Sequence, residues 1–207
     1  EYVGKNVLRF EDDRLLSGNG VYTSDLNFPG QLHLSFLRST VAHGKIISIN
    51  KEKAENLQGV HGIFTYKDFK EVPPIKSSSR MKNYHATNQN ILCSNKVRYV
   101  GEPIAAILAD SRYIAEDAAE IIEVDIRNLD PVINTIDSSK PHSAIIHEEI
   151  NSNIILERTF DKGDKKFLKD VNLLSVKNIF TMTRKSPLSM EPRSYACNID
   201  KLSNVLT

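Results

Sequence analysis

Between residues 96 and 129 the chain reads KVRYVGEPIAAILADSRYIAEDAAEIIEVDIRNL, and nearly every position suits one succession: strand, tight turn, strand, helix, strand. Val97, Tyr99 and Val100 favour a short strand. In the turn 101–103, Gly101 supplies an unusual φ and Pro103 presets its own. Residues 104–109 are continuously apolar, as in a strand covered on both faces. Asp110 or Ser111 can then cap a helix whose apolar face holds Ile114, Ala115, Ala118, Ala119, Ile121 and Ile122, with Glu116, Asp117, Glu120 and Glu123 on the wet side. Small alanines let such a helix lie close to a sheet. Ile122, Val124 and Ile126 then alternate with Glu123, Asp125 and Arg127, the period of a closing strand with one solvated face.

The same succession occurs earlier in the chain. Residues 32–39 (LHLSFLRS) alternate as a strand, 42–44 turn, 45–50 (KIISIN) return, 51–57 suit a short helix, and 60–66 (VHGIFTY) form another strand. The spacing predicts an α/β (α+β) domain built from two strand-strand-helix-strand repeats of low mutual identity. Between the repeats, residues 67–95 read as a long polar loop, the kind of segment in which partner contacts fall. Before them, the punctuated stretch 1–31 reads as an extended lead-in.

After residue 130 the pattern loosens. Pro131, Asp137, Ser138, Ser139, Pro141, Asn151 and Ser152 mark 131–152 as a linker. Strands are expected over 154–160, 173–182 and 195–199, with a short helix over 164–170, and another strand begins at 202. So few elements cannot bury much surface alone, so the piece 153–207 is expected either to dock on the first domain or to open a larger one.

Charge and cysteine content narrow the class. Twenty-seven Lys and Arg against 26 Asp and Glu leave no field favouring nucleic acid. No apolar run approaches a bilayer span and no secretory signal opens the sequence. Cys93 and Cys197 are far apart and outside any CxxC, which suggests free thiols in the cytoplasm.

Few residues offer chemistry. His142, His147, Glu148 and Glu149 are the one cluster resembling metal ligands, and a solvated acidic loop explains them more simply. Gly18-Asn19-Gly20 echoes a nucleotide loop but follows no strand and opens no helix. Gly163-Asp164 reads as a helix cap. Residues 189–193, SMEPR, read as a charged turn. His33, His43, His61 and His85 are scattered singly, and no GxSxG marks a nucleophile.

Five stretches taken together, 2–50, 59–69, 95–133, Gly163-Asp164 and 189–200, resemble in order and spacing the molybdenum hydroxylases: xanthine dehydrogenase, aldehyde oxidase and the aerobic carbon monoxide dehydrogenase large subunit. The resemblance implies an α/β hammerhead domain over 18–130, after a lead-in over 1–17. It also implies an incomplete molybdopterin-binding domain over 153–207. In that family a molybdenum-bound pterin carries out hydroxylation of an aldehyde, a heteroaromatic ring or carbon monoxide with oxygen from water. Electrons leave through iron-sulfur clusters to FAD on partner subunits, and a glutamate far toward the C-terminus acts as base. The cofactor loops and that glutamate fall beyond Thr207, and Lys185-Ser186-Pro187 stands where many relatives carry a histidine before SMEPR. The resemblance therefore assigns no catalytic, cofactor-binding or metal residue here. It casts the chain as the N-terminal part of a large subunit, structural by itself. Arg38-Ser39, Gly101-Glu102-Pro103 and 190–193 read as turn and packing positions. The rival readings are a free-standing protein-interaction module using 67–95 and the edge at 202–207, and a small hydrolase or metal enzyme using His142 and His147.

Overall fold

The computed structural model describes residues 2–163, 174, 176–183, 185–189 and 193–207. They fall into two compact bodies, Gln31–Asp164, and Glu1–Gly30 with Lys165–Thr207.

The first body contains both repeats. The earlier one gives β1 (His33–Arg38), β2 (Gly44–Asn50), α2 (Glu52–Glu55) and β3 (Val60–Thr65); the later one gives β6 (Lys96–Val97), β7 (Pro103–Ala109), α3 (Arg112–Ile121) and β8 (Glu123–Asn128). Tyr99 and Val100, expected in the strand before the turn, lie outside it and are exposed. The two repeats exchange their middle strands. One sheet has the order β1-β7-β3 and the other β6-β2-β8, with all pairings antiparallel. Among the described residues no strand of a repeat pairs with a strand of its own repeat, so neither repeat can complete a sheet without the other.

Burial follows from that exchange. β7 has a neighbour on each side, which accounts for its continuous apolar run: Ile104, Ala105, Ala106, Ile107 and Ala109 are all buried. The larger core joins Ala105, Ile107 and Ala109 to Ile63 of β3 and to Ala115 and Ala118 of α3, whose small side chains permit the close approach. Ser111 caps the helix through Oγ, which accepts from the Ile114 amide at 3.2 Å. Asp110, the other candidate cap, instead pairs with His61 Nε2 at 2.6 Å. Gly59 enters β3 at φ +88, and a Cβ there would come within 2.9 Å of Ile114 Cδ1. The smaller core joins Cys93, Val97 and Ile104 to Val41, Ile46, Val124 and Ile126.

The segment 67–95 is more ordered than a polar loop. β4 (Ile75–Lys76) pairs with β5 (Asn88–Gln89), and Leu92 and Cys93 are driven into the interior. Beyond β8 come α4 (Thr135–Ser138) and a 3-10 turn at Glu148–Ile150. The Asn153 side chain accepts from Ile146 N and donates to Ser138 O and Ala144 O, closing that stretch on itself.

Four further expectations are corrected. The lead-in is not wholly extended: α1 (Asp12–Leu16) forms there, its first-turn acids favourably placed at the helix start. Residues 154–160 are not a strand. The apolar run at its start finds no ladder, and among the described residues its backbone bond to a distant part of the chain is His85 N to Ile155 O at 2.9 Å. Residues 174 and 176–182 are likewise not strand. At the C-terminal end the strands shrink to β9 (Ile199–Asp200) and β10 (Val205–Leu206), antiparallel to each other. The expected helix over 164–170 lies outside the described residues.

Removing methyl groups at the centre of β7 should be costly. Ile107→Ala is expected to lower unfolding free energy by about 2–5 kcal/mol, whereas Ile47→Ala, at a side chain 52% exposed, should stay within about 0.5 kcal/mol. Denaturant titration of both variants checks this.

Candidate functional site

The densest polar cluster lies where β1 ends and β7 begins. Antiparallel pairing places Arg38 opposite Pro103, with a register shift after Leu37, so residues 38–39 meet the turn 101–103. Pro103 has no amide hydrogen to give the ladder, and Gly101 takes φ +93 to reverse the chain. Gly101 N donates to Ser39 O at 2.7 Å, and Ser39 N to Glu102 O at 2.9 Å. Arg38 Nη1 donates to Gly101 O at 2.9 Å while its guanidinium lies over the Phe36 ring. The two short motifs 38–39 and 101–103, far apart in sequence, form one fastener.

Glu102 is its buried charge. The carboxylate accepts from the Arg98 amide and lies 3.4 Å from Arg98 Nη1, both side chains being mostly buried. Beside it Cys93 donates its backbone N–H to Pro103 O and its thiol to Lys96 O. Burial, followed by the nearby Glu102 carboxylate, pushes the Cys93 thiol up to about 12. A thiol held protonated and enclosed is a packing group, not a nucleophile. The same two causes raise Tyr99. On the other flank His43 Nδ1 gives its hydrogen to Asp130 O at 2.7 Å, and His43 O accepts from Leu129 N, tying the exit of β8 to the turn before β2.

The acidic-histidine cluster does not converge. Glu148 reaches Lys96 Nζ at 2.9 Å, and this bond holds its carboxyl below the usual range. Burial pushes Glu149 up, but the amides of Glu149 and Asn88, together with His147, outweigh it and leave that carboxyl lowered. His142 is exposed. Among the described residues, no group of three or more His, Cys, Asp or Glu comes together as a metal cage. These side chains instead tie 147–149 to β5 and β6. Gly18-Asn19-Gly20 closes α1 instead of opening a helix: Asn19 N donates to Arg14 O, with Gly18 at φ +76. Phosphate binding needs the opposite helix end. Gly163 takes φ +93, while Asp164, Met190, Glu191 and Pro192 lie outside the described residues.

A pterin-held metal does not fit what is described. The buried polar atoms left without a partner, His43 Nε2 and Arg98 Nε, are interior to the fastener region. The open hollows at 80–85 and 150–159 are lined mainly by exposed loop side chains. Sequence reasoning missed the Arg98-Glu102 and Lys96-Glu148 pairs, because each joins residues by turn geometry or long-range folding. The Leu92-Cys93 pair, apolar within a polar stretch, was the one local signal of that interior.

Residues 17–130 match the family pattern described as aldehyde oxidase and xanthine dehydrogenase, a/b hammerhead domain. The chain is 30% identical over 212 residues to the 6-hydroxypseudooxynicotine dehydrogenase complex subunit gamma of Paenarthrobacter nicotinovorans, covering 99% of this chain and 26% of that protein. It is 30% identical over 153 residues to the xanthine dehydrogenase molybdenum-binding subunit of Escherichia coli O157:H7, covering 72% and 20%. Its fold is similar to the crystal structure of quinoline 2-oxidoreductase from Pseudomonas putida 86, with a TM-score of 0.70, 36% identity, and coverage of 75% of this chain and 20% of that one. The chain thus spans about a quarter or less of the length of these curated relatives.

Glu102→Ala strands the Arg98 guanidinium and amide in the interior. It is expected to cost about 2–4 kcal/mol, and Glu102→Gln, which still accepts the amide, should cost clearly less. Thermal unfolding of the two variants side by side tests the order.

Proposed function

This chain belongs to the aldehyde oxidase and xanthine dehydrogenase family through its a/b hammerhead domain, and on that premise we propose that it supplies the structural N-terminal part of a molybdenum-dependent hydroxylase large subunit. The enzyme's reaction on this reading is oxidation of an aldehyde, a heteroaromatic ring or carbon monoxide with water as the oxygen source. The observation that carries the proposal is the exchanged-strand core of 31–130, which lies within the matched family domain 17–130 and is held by buried fasteners. Its residues align backbone and exclude water; the reaction belongs to the rest of the subunit.

The domain division that goes with this reading is a lead-in over 1–17, the hammerhead over 18–130, a linker over 131–152, and the opening of the cofactor domain over 153–207. Molybdopterin with molybdenum would be held by the remainder of the large subunit, and iron-sulfur clusters and FAD by partner subunits. The words "complex subunit" and "molybdenum-binding subunit" in the relatives' names support the molybdenum and the multi-subunit parts of this reading. A cytoplasmic setting is part of the proposal, supported by the free thiols of Cys93 and Cys197. Among the described residues no helix is long and apolar enough to cross a membrane.

The test is native purification from the source cells with an affinity tag on this chain. The expected eluate contains the rest of the large subunit, on the same polypeptide or a second one, together with molybdenum, iron and flavin. A chain that elutes alone and free of metal overturns the proposal.

A further inference from the structure

The sheet β1-β7-β3 has one face covered and the other covered only in part. Ala105, Ile107 and Ala109 point to the side of α3, and the alternate residues point away. On that second face the register aligns Phe36 with Ala106 and Phe64, and Leu34 with Leu108. Among the described residues the second core covers it at Ile104, and Ala106, between the two Phe side chains, is also buried, while Leu108 is half-buried. Beyond that point Leu34 is 54% exposed, and Phe36 and Phe64 are each 37% exposed. The Phe64 ring folds over Gly62, whose absent Cβ would lie 3.0 Å from it, and leans on Phe69 with ring centroids 6.2 Å apart. The Phe64 side chain is thus laid along the sheet. Arg38 stands at the rim over Phe36.

A solvated face of an antiparallel sheet ordinarily reads polar. This one reads apolar in all three strands, so its composition is that of a buried surface. We propose that it is an interface, covered by an apolar protein surface from the remainder of the large subunit, packed as a further layer on β1, β7 and β3. The occupant is argued from length: relatives that align with nearly all of this chain, or with most of it, are about four to five times longer. That leaves a large body of polypeptide to be packed against it. The inference rests on the functional reading above and adds the surface through which the parts join.

The experiment uses the natively purified complex. Phe36→p-benzoylphenylalanine and Phe64→p-benzoylphenylalanine are introduced separately, with Tyr113→p-benzoylphenylalanine on the exposed side of α3 as reference, and the complexes are irradiated. Cross-linked peptides from the large-subunit remainder, several-fold more abundant from positions 36 and 64 than from 113, are the expected result. Molybdenum that co-purifies while positions 36 and 64 link to a second copy of this chain, to another subunit, to other parts of this chain, or to nothing overturns the inference and leaves the functional reading standing. An unmodified chain that brings down no molybdenum-bearing polypeptide overturns both. If the probes block assembly, hydroxyl-radical footprinting of the unmodified complex decides. Protection of Phe36 and Phe64 with Tyr113 oxidised supports the inference, and equal oxidation of all three overturns it.

Discussion

Everything in the first body depends on the placement of β7 between β1 and β3. A strand with neighbours on both edges and apolar side chains on both faces has nowhere else to go, and it belongs to a different repeat from the strands it pairs with. The reciprocal insertion of β2 between β6 and β8 follows the same logic. The two cores meet at β7, since Ala105, Ile107 and Ala109 enter one cluster and Ile104 the other. Ile49 and Val124 pack against both.

The fastener at 38–39 and 101–103 is the consequence of that exchange at the level of hydrogen bonds. When β1 is made to run against β7, the end of one and the start of the other must cross at a turn whose backbone groups are partly buried, and these need partners. Ser39, Gly101 and Glu102 satisfy one another's backbone, and Glu102 also accepts from the Arg98 amide and Nη1. A buried charge in such a place is stable only with its partners present. The function proposed for the chain is consistent with this: precise backbone alignment, and a partly uncovered apolar sheet face, in a chain that spans a minor share of its relatives' length.

Much of this was legible in the residues. The repeat, the buried strand at 104–109 and the alanine-lined helix follow from local periodicity, and the structure bears them out; of the two caps the sequence offered, Asp110 or Ser111, the structure takes Ser111. The strand exchange was not legible, because either pairing scheme satisfies the same alternation and only tertiary packing chooses between them. The Arg98-Glu102 pair was hidden for a similar reason, as an i,i+4 spacing across a turn has no helical meaning. Residues 154–160 misled in the opposite direction: a run opening on apolar, β-prone residues becomes a strand only if an edge is available to receive it, and among the described residues its backbone tie to a distant part of the chain is the bond from His85. For the candidate site, the motifs 38–39 and 101–103 were visible as text, but their union was visible only in the fold. The family resemblance drawn from them is upheld by the match over 17–130.

If the two repeats complete each other's sheets, they must open together. Native-state hydrogen exchange, followed amide by amide through β2 and β7 at increasing denaturant, measures this directly. The account predicts that the slowest amides of both strands exchange with one common opening free energy and one common denaturant dependence. Opening of β6-β2-β8 at a clearly lower free energy, with β1-β7-β3 still protected, would show two independent sheets and contradict it.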